Sequence, residues 1–156
     1  MNRTDFDVTF ASVYSLVEGE IGAGHSFTFT PNGVSMLPRI IGGKDVAKLS
    51  PIIEEPKKND IIFYRRQNGG FVLHRIVKKP KNGFYTFCGD NQYYLEKGIR
   101  REQLIARLSS LTRDGKKIDP SPKWFVFFLP LRRFTIHLKR SLGARIKKFF
   151  GRNRCV

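Results

Sequence analysis

Three segments of the chain carry side chains that together could catalyse acyl transfer. Ser35 lies in GVSMLP, where a glycine and a proline bound a turn that can present the hydroxyl at an exposed corner. His74 interrupts the apolar run VLHRIV, and Asp90 lies in CGDN with Glu96 six residues later. A hydroxyl, an imidazole and a carboxylate are the groups that a serine hydrolase uses as nucleophile, base and orienting acid.

The residue types predict a role for each of these groups. An imidazole with a reference pKa of about 6.5 is neutral near pH 7, so His74 can accept the proton of Ser35. A carboxylate on the far ring nitrogen would fix the tautomer, and both Asp90 and Glu96 are candidates. The backbone amides of Val34 and Ser35 are expected to hold the oxyanion. Each residue alone fits an ordinary turn or strand, whereas the combination favours catalysis.

Size and composition indicate one packed domain with a basic end. The chain has 156 residues, 40% of them hydrophobic, and a formal net charge of +16. The segment 123–156 holds ten Lys and Arg and no acid, which leaves 19 basic and 13 acidic groups in residues 1–122. A charge of this kind attracts phosphates, whether of anionic lipid or of nucleic acid.

Two cysteines and an acid-containing N-terminal stretch indicate a cytoplasmic protein. Cys88 and Cys155 form neither a disulfide framework nor a metal cluster, and we expect reduced thiols, no metal and no cofactor. The first 24 residues contain four acids, so they are not expected to be a signal peptide or a membrane span. The longest apolar run, Trp124–Leu131, is also too short to cross a bilayer.

The elements that must position the site are predicted to be mainly β. Apolar residues at helical spacing predict a short N-terminal helix over 4–18, ended by Gly19–Gly24. Short β-type runs separated by turn residues then predict a compact antiparallel sheet with hairpins. The predicted strands are Ser26–Thr30, Asp45–Leu49, Asp60–Arg66, Phe71–Lys78, Phe84–Cys88 and Ile105–Thr112.

The C-terminal part is predicted to be a linker followed by a basic amphipathic helix. Asp119–Lys123 holds two prolines, so we place a catalytic domain at 1–122 and a basic tail at 123–156. Apolar residues after Pro130 recur every three or four positions: Leu131, Phe134, Leu138, Leu142, Ile146 and Phe149. The preceding stretch is rich in aromatic residues: Trp124, Phe125, Phe127 and Phe128. Either the apolar face packs on the β core, or 123–150 binds an anionic membrane surface on the inner membrane face.

Four motifs in this order resemble the superfamily of type I signal peptidases and LexA-like self-cleaving repressors. They are GVSMLP, KKNDIIFYRR, GGFVLHRIV and YTFCGDNQ, and the resemblance covers residues 24–112. It implies a fold of coiled antiparallel sheets, an SM motif with the nucleophile, a base followed by arginine, and a GDN motif that ends the core. Histidine in place of lysine as the base resembles the signal peptidases of the endoplasmic reticulum and archaea.

The resemblance implies Ser35 as nucleophile, His74 as base and Asp90 as orienting acid, with Glu96 as the competing acid. It also implies supporting roles for six residues near these groups: Gly33, Met36, Pro38, Arg75, Gly89 and Asn91. Gly33 stands where many signal peptidases have a hydroxyl residue, so the oxyanion hole would be all backbone. No segment of the sequence is expected to form the membrane anchor usual in signal peptidases.

Three functions remain open from the sequence. The first, which we favour, is a serine endopeptidase that cuts an extended peptide or precursor protein beside small side chains. The second is LexA-like self-cleavage, for which Ala23-Gly24 has suitable residue types but lies only 11 residues before Ser35. The third is a non-catalytic module that binds a membrane surface through the basic tail, with nucleic acid as the less favoured ligand.

Overall fold

The computed structural model describes the backbone of residues 15–151 and the side chains of residues 15–78, 81–139 and 141. Eight strands form one antiparallel sheet, which is not closed, with a helix at each end of the described chain. The strands are β1 (Phe27–Phe29), β2 (Val46–Pro51), β3 (Ile61–Arg65), β4 (Phe71–Lys81), β5 (Phe84–Cys88), β6 (Glu96–Arg100), β7 (Leu104–Arg113) and β8 (Lys116–Ile118). The predicted fold class is confirmed.

The strand order is β1-β2-β7-β3-β4-β5-β6, and β8 pairs with β7. All six predicted strands are present, with ends that differ by at most three residues, and Phe84–Cys88 is as predicted. β6 and β8 were not predicted. Only one residue of β6 is buried, Ile99, and none of β8, so neither strand has the apolar alternation on which the prediction depended.

The N-terminal helix α1 includes residues 15–22 of the described chain, and residues 4–14 of the predicted helix lie outside it. The predicted end at residue 18 is wrong, because the helix continues through Gly19 to Gly22. Val17 and Ile21 are one helical turn apart, and both are buried in the core. This burial outweighs the weak helix propensity of glycine, and Gly24 in the left-handed region (φ +85°) ends the helix.

The central strand β3 separates two clusters of buried side chains. Ile61 and Phe63 face the cluster that also contains α1 and β7, whereas Ile62 and Tyr64 face the cluster formed by β5 and β6. Four of its five residues are buried, which is typical of a strand covered on both faces. The β3–β4 hairpin places His74 opposite Ile62, so the imidazole belongs to the β5–β6 side of the sheet.

The C-terminal helix α2 (Lys123–Gly151) begins eight residues before Leu131, where the predicted helical spacing starts. The aromatic stretch before Pro130 is helical, because Phe125 and Leu129 are buried and fix the first turns to the core. Pro130 is exposed and lies inside the helix. The side chains of Leu142, Ile146 and Phe149 lie outside the described residues, as does Cys155. Within the described chain, no helix combines the length and apolarity needed to cross a membrane.

Candidate active site

The Ser35 turn lies between β1 and β2 and is shaped by glycines. Gly33 has φ +96°, in the left-handed region that side chains rarely adopt. A Cβ at Gly42 would come within 2.3 Å of the Gly33 carbonyl oxygen, so this second glycine allows the two backbones to touch. Met36 is buried in the core directly after the serine. The turn is therefore held by close backbone packing on one side and by a buried side chain on the other.

The GDN turn (Gly89–Asn91) that follows β5 contacts the Ser35 turn and fixes its backbone. The Asn91 amide donates to the Ser35 carbonyl at 2.8 Å, and the Asn91 side-chain amide donates to the Val34 carbonyl at 3.1 Å. A Cβ at Gly89 would lie 2.5 Å from the Ser35 carbonyl oxygen. The structure thus brings together two of the sequence motifs, and it gives Gly89 and Asn91 a physical role in positioning the serine.

A substitution at Gly89 should reveal this contact. Gly89→Ala forces the Ser35 carbonyl to move, because a backbone atom occupies the place of the new methyl group. We expect a peptidase activity dependent on Ser35 to fall by about 10²-fold, the typical cost of a misplacement near 1 Å. Initial rates on a peptide substrate measure the effect. Gly22→Ala is the control, since a Cβ there meets nothing within 4 Å. Equal rates for Gly89→Ala and the wild type would contradict this role.

The amides of the Ser35 turn are available to a ligand. Neither the Val34 amide nor the Ser35 amide donates a hydrogen bond within residues 15–151, whereas the carbonyl groups of both residues are occupied. Two unpaired amides next to a serine can bind an oxyanion. These are the two amides predicted to form the oxyanion hole, and that role stays a prediction.

His74 is buried and bound through one ring nitrogen. Its Nδ1 lies 3.2 Å from Glu96 Oε1 and 3.4 Å from the Tyr64 hydroxyl. With Glu96 ionised, the proton lies on Nδ1, and Nε2 carries the free lone pair. Nε2 has no hydrogen-bond partner among the described residues. The imidazole is therefore fixed in the tautomer that a general base requires.

Glu96 is the centre of a polar cluster on the same face of the sheet. Arg66 donates to both carboxylate oxygens, and the Tyr64 hydroxyl donates to Oε2 at 2.9 Å. Burial alone would raise the pKa of Glu96, but the hydrogen bonds from Arg66, His74 and Tyr64 outweigh it and hold this pKa well below its ordinary value. Glu96 thus remains a carboxylate beside the imidazole at neutral pH.

The sequence favours Asp90 as the acid that pairs with His74. This prediction is wrong, because Asp90 does not contact the imidazole. Asp90 forms a bidentate ion pair with Arg75, with distances of 2.8 and 2.7 Å, and neither side chain is exposed. Arg75 follows His74 along β4, so the two side chains point to opposite faces of the sheet. An acid that binds Arg75 on its own face cannot also contact the imidazole, and Glu96 takes this place.

The Arg75–Asp90 pair also fixes the chain that leads into α2. Arg75 donates to the carbonyl groups of Asn59 and Pro120 at 3.0 Å each and to the Ser121 hydroxyl at 2.5 Å. The segment predicted as a linker is therefore bound to the core through its own backbone and side chain. Buried charges are tolerated when they are paired and fully hydrogen-bonded in this way.

Tyr64 and Arg66 are site residues to which the sequence analysis gave no role. Both lie in the quoted motif KKNDIIFYRR, at the end of β3. Tyr64 is two residues beyond Ile62, the cross-strand partner of His74, so strand alternation places the Tyr64 side chain on the face of the imidazole. Hairpin pairing of β3 with β4 was the signal that could have found Tyr64 beforehand.

The Ser35 turn lies beside β4, because Ser35 lines the same cavity as Val72 and Leu73 of that strand. The pairing of β4 with β5 ends at Arg75 and Cys88, and Gly89 follows directly after it. The Ser35 carbonyl oxygen rests against Gly89, as described above. Within the described chain the Ser35 hydroxyl forms no hydrogen bond with the imidazole. Such contacts are often long without substrate and tighten when it binds.

A small cavity of about 110 Å³ opens beside Ser35. Its walls expose polar and apolar atoms in about equal measure, and its apolar lining residues come from β1, the Ser35 turn, β3 and β4: Phe29, Met36, Ile40, Phe63, Phe71 and Leu73. Pro38, three residues after the serine, lies outside this cavity and lines a groove against α2. The turn therefore adjoins both the cavity and the groove.

The Ala23-Gly24 bond lies in the hydrogen-bonded turn that ends α1. The Ala23 amide donates to the Gly19 carbonyl, and the Gly24 amide donates to the Ile21 carbonyl. Self-cleavage at this bond would first require the turn to open.

Comparison with known proteins adds no relative: no family model matches the chain, and a search of curated proteins finds no match.

Proposed function

We propose that the chain is a serine endopeptidase in which Ser35 is the nucleophile, His74 the general base and Glu96 the acid that orients the imidazole. The observation that carries this proposal is the pairing of His74 Nδ1 with Glu96, which leaves Nε2 free on the strand beside the Ser35 turn. The resemblance of the four motifs to signal peptidases and LexA-like proteins supports Ser35 as nucleophile and His74 as base.

The reaction follows from these groups. Ser35 Oγ attacks the scissile carbonyl and transfers its proton to His74 Nε2, and Glu96 stabilises the resulting imidazolium. The amides of Val34 and Ser35 bind the oxyanion. Collapse of the tetrahedral intermediate breaks the C–N bond, and His74 returns the proton to the leaving amine. Water then attacks the acyl-enzyme, with His74 again as base, and releases the acid product.

The substrate is proposed to bind as an extended strand along the free edge of β4. β4 pairs with β5 only from Arg75 onward, so Val72, Leu73 and His74 have no strand partner on that side within the described chain. Unpaired backbone groups at a sheet edge bind extended peptides. The cavity of about 110 Å³ next to Ser35 fits one small apolar side chain beside the scissile bond. These features favour a peptide or precursor protein in extended form.

Cleavage of a complex peptide mixture tests the proposal. We expect new N-termini to appear when the purified chain is incubated with proteome-derived peptides, with small residues enriched before the cut. The Ser35→Ala protein serves as the blank and should produce none, whereas Ser26→Ala, a change at an exposed serine, should match the wild type. Mass spectrometry identifies the termini. Cleavage that persists in Ser35→Ala would reject the proposal.

A further inference from the structure

One side of α2 exposes large apolar side chains that no other part of the described chain covers. Each is between 47% and 77% exposed: Trp124, Phe127, Phe128, Leu131, Phe134 and Leu138. We call this set the apolar stripe. Scattered single apolar residues are normal on protein surfaces, but six large ones on one helix form a continuous patch that requires a partner.

The stripe is separate from the side of α2 that packs on the core. At 100° per residue its members fall within an arc of about 120°, and Phe125 and Leu129 lie on a different side. Both of these residues are buried, so Phe125 does not belong to the exposed aromatic group in which the sequence placed it. Because α2 already has its contact with the core, none of the described residues is left to cover the apolar stripe.

Charge indicates what that molecule is. Lys123 and Lys139 are exposed and flank the apolar stripe on either side of the arc. The segment from Lys123 onward has ten basic residues and no acid. An apolar centre with cations at its borders fits an anionic lipid surface, where the rings enter the acyl boundary and the lysines meet headgroups. Nucleic acid would instead require cations in the centre of the contact.

The stripe continues toward the Ser35 turn. A groove of about 420 Å³ runs between Pro38 and the first turns of α2, where Trp124, Phe128 and Leu131 line it. Arg132, next to the stripe on the helix, donates to the Asp90 carbonyl at 3.3 Å and to Asn91 Oδ1 at 3.1 Å. The apolar stripe and the Ser35 turn are therefore adjacent parts of one surface.

We propose that α2 docks the protein on an anionic membrane surface through the apolar stripe, with the helix lying in the plane of the interface. This goes beyond the proposed peptidase activity and does not depend on it. The Ser35→Ala protein is therefore used for the test, so that binding and catalysis are measured separately.

The chain's one tryptophan, Trp124, belongs to the stripe and reports its environment directly. We expect its fluorescence to shift to shorter wavelength and to be protected from acrylamide when vesicles of phosphatidylcholine with phosphatidylglycerol are added. Pure phosphatidylcholine vesicles should give a much smaller response. Lys123→Gln with Lys139→Gln should weaken partitioning into the anionic vesicles by about fivefold for each lysine.

Phe127→Ser with Phe134→Ser isolates the apolar contribution and should reduce vesicle partitioning by tenfold or more, on the order expected for two buried rings. Ile53→Ser is the matched control, because Ile53 is 93% exposed outside α2. Circular dichroism checks that each variant is folded. Three results would each overturn the proposal. The first is no Trp124 response to anionic vesicles, and the second is equal partitioning of the double-serine variant and the wild type. The third is binding to duplex DNA, without vesicle binding, that depends on the same aromatic residues.

Discussion

Alanine at Ser35, at His74 and at both positions together is expected to lower kcat/KM by about 10⁴-fold or more, by the same factor in all three proteins. The reason is that the nucleophile and its base act as one unit, so the second removal takes away nothing that the first has left. Single-peptide kinetics with a substrate found in the cleavage screen measures the three constants. Additive losses would indicate two independent effects and contradict the assignment.

The control for His74 exists within the same chain. His25 also contacts a glutamate, with Nδ1 3.1 Å from Glu20 Oε2, but both side chains are exposed on α1 and the segment that follows it. His25→Ala should leave kcat/KM unchanged, since this pair has no serine turn beside it. Folding of His74→Ala needs a check by circular dichroism, because the imidazole is buried.

Asp90→Asn is expected to lower the stability of the fold, whereas Glu96→Gln is expected to lower the catalytic rate. Asp90→Asn leaves the Arg75 charge buried without its counter-charge and should lower the free energy of unfolding by about 3–5 kcal/mol. Glu96→Gln keeps the shape of the side chain but no longer fixes the tautomer of His74, and should lower kcat by about 10²–10⁴-fold. Urea unfolding and initial rates measure the two quantities.

Asp114→Asn provides the reference for a simple loss of charge. Asp114 pairs with Lys44 at 2.9 Å, but the carboxylate is 69% exposed, so the free energy of unfolding should change by less than about 1 kcal/mol. If Asp90→Asn, assayed where it is fully folded, lost activity as Glu96→Gln is expected to, while Glu96→Gln stayed active, the roles of the two acids would be reversed.

The strands that carry the site could be predicted because they are short apolar runs between clear breaks. β3 has four consecutive buried residues, β4 has three, and the two strands are separated by the turn signal Asn68-Gly69-Gly70, where Gly69 has φ +83°. β6 has one buried residue in five, and its position depends on pairing with β5 rather than on its own composition. Long-range pairing of this kind leaves no local pattern in the sequence.

The orienting acid shows where reasoning from motifs failed. The GDN motif indicated Asp90, but in the fold this carboxylate pairs with Arg75. Arg75 competes for it more strongly than the His74 imidazole because the guanidinium offers two parallel donors. Glu96 reaches His74 because β6 pairs Glu96 with Phe87, whose ring stacks on Tyr64. Only the register of two strand pairs reveals this contact.

The start of α2 was placed too late for a different reason. The helical spacing that predicts this element is visible only after Pro130, and a proline in a helix interior typically costs about 3 kcal/mol. Burial of Phe125 and Leu129 against the core offsets this cost, and sequence alone gives no measure of it. The same burial decides which aromatic residues remain exposed.

The bound segment between β8 and α2 has a consequence for where a docked enzyme could cut. Arg75 holds Pro120 and Ser121, and Arg132 of α2 holds Asn91, which in turn holds the Ser35 turn. These contacts fix the N-terminal end of α2 to the core. A protein bound to lipid through α2 would therefore hold Ser35, its proposed nucleophile, at a constant height above the bilayer. Such an enzyme would select scissile bonds by their distance from the membrane as well as by their side chains.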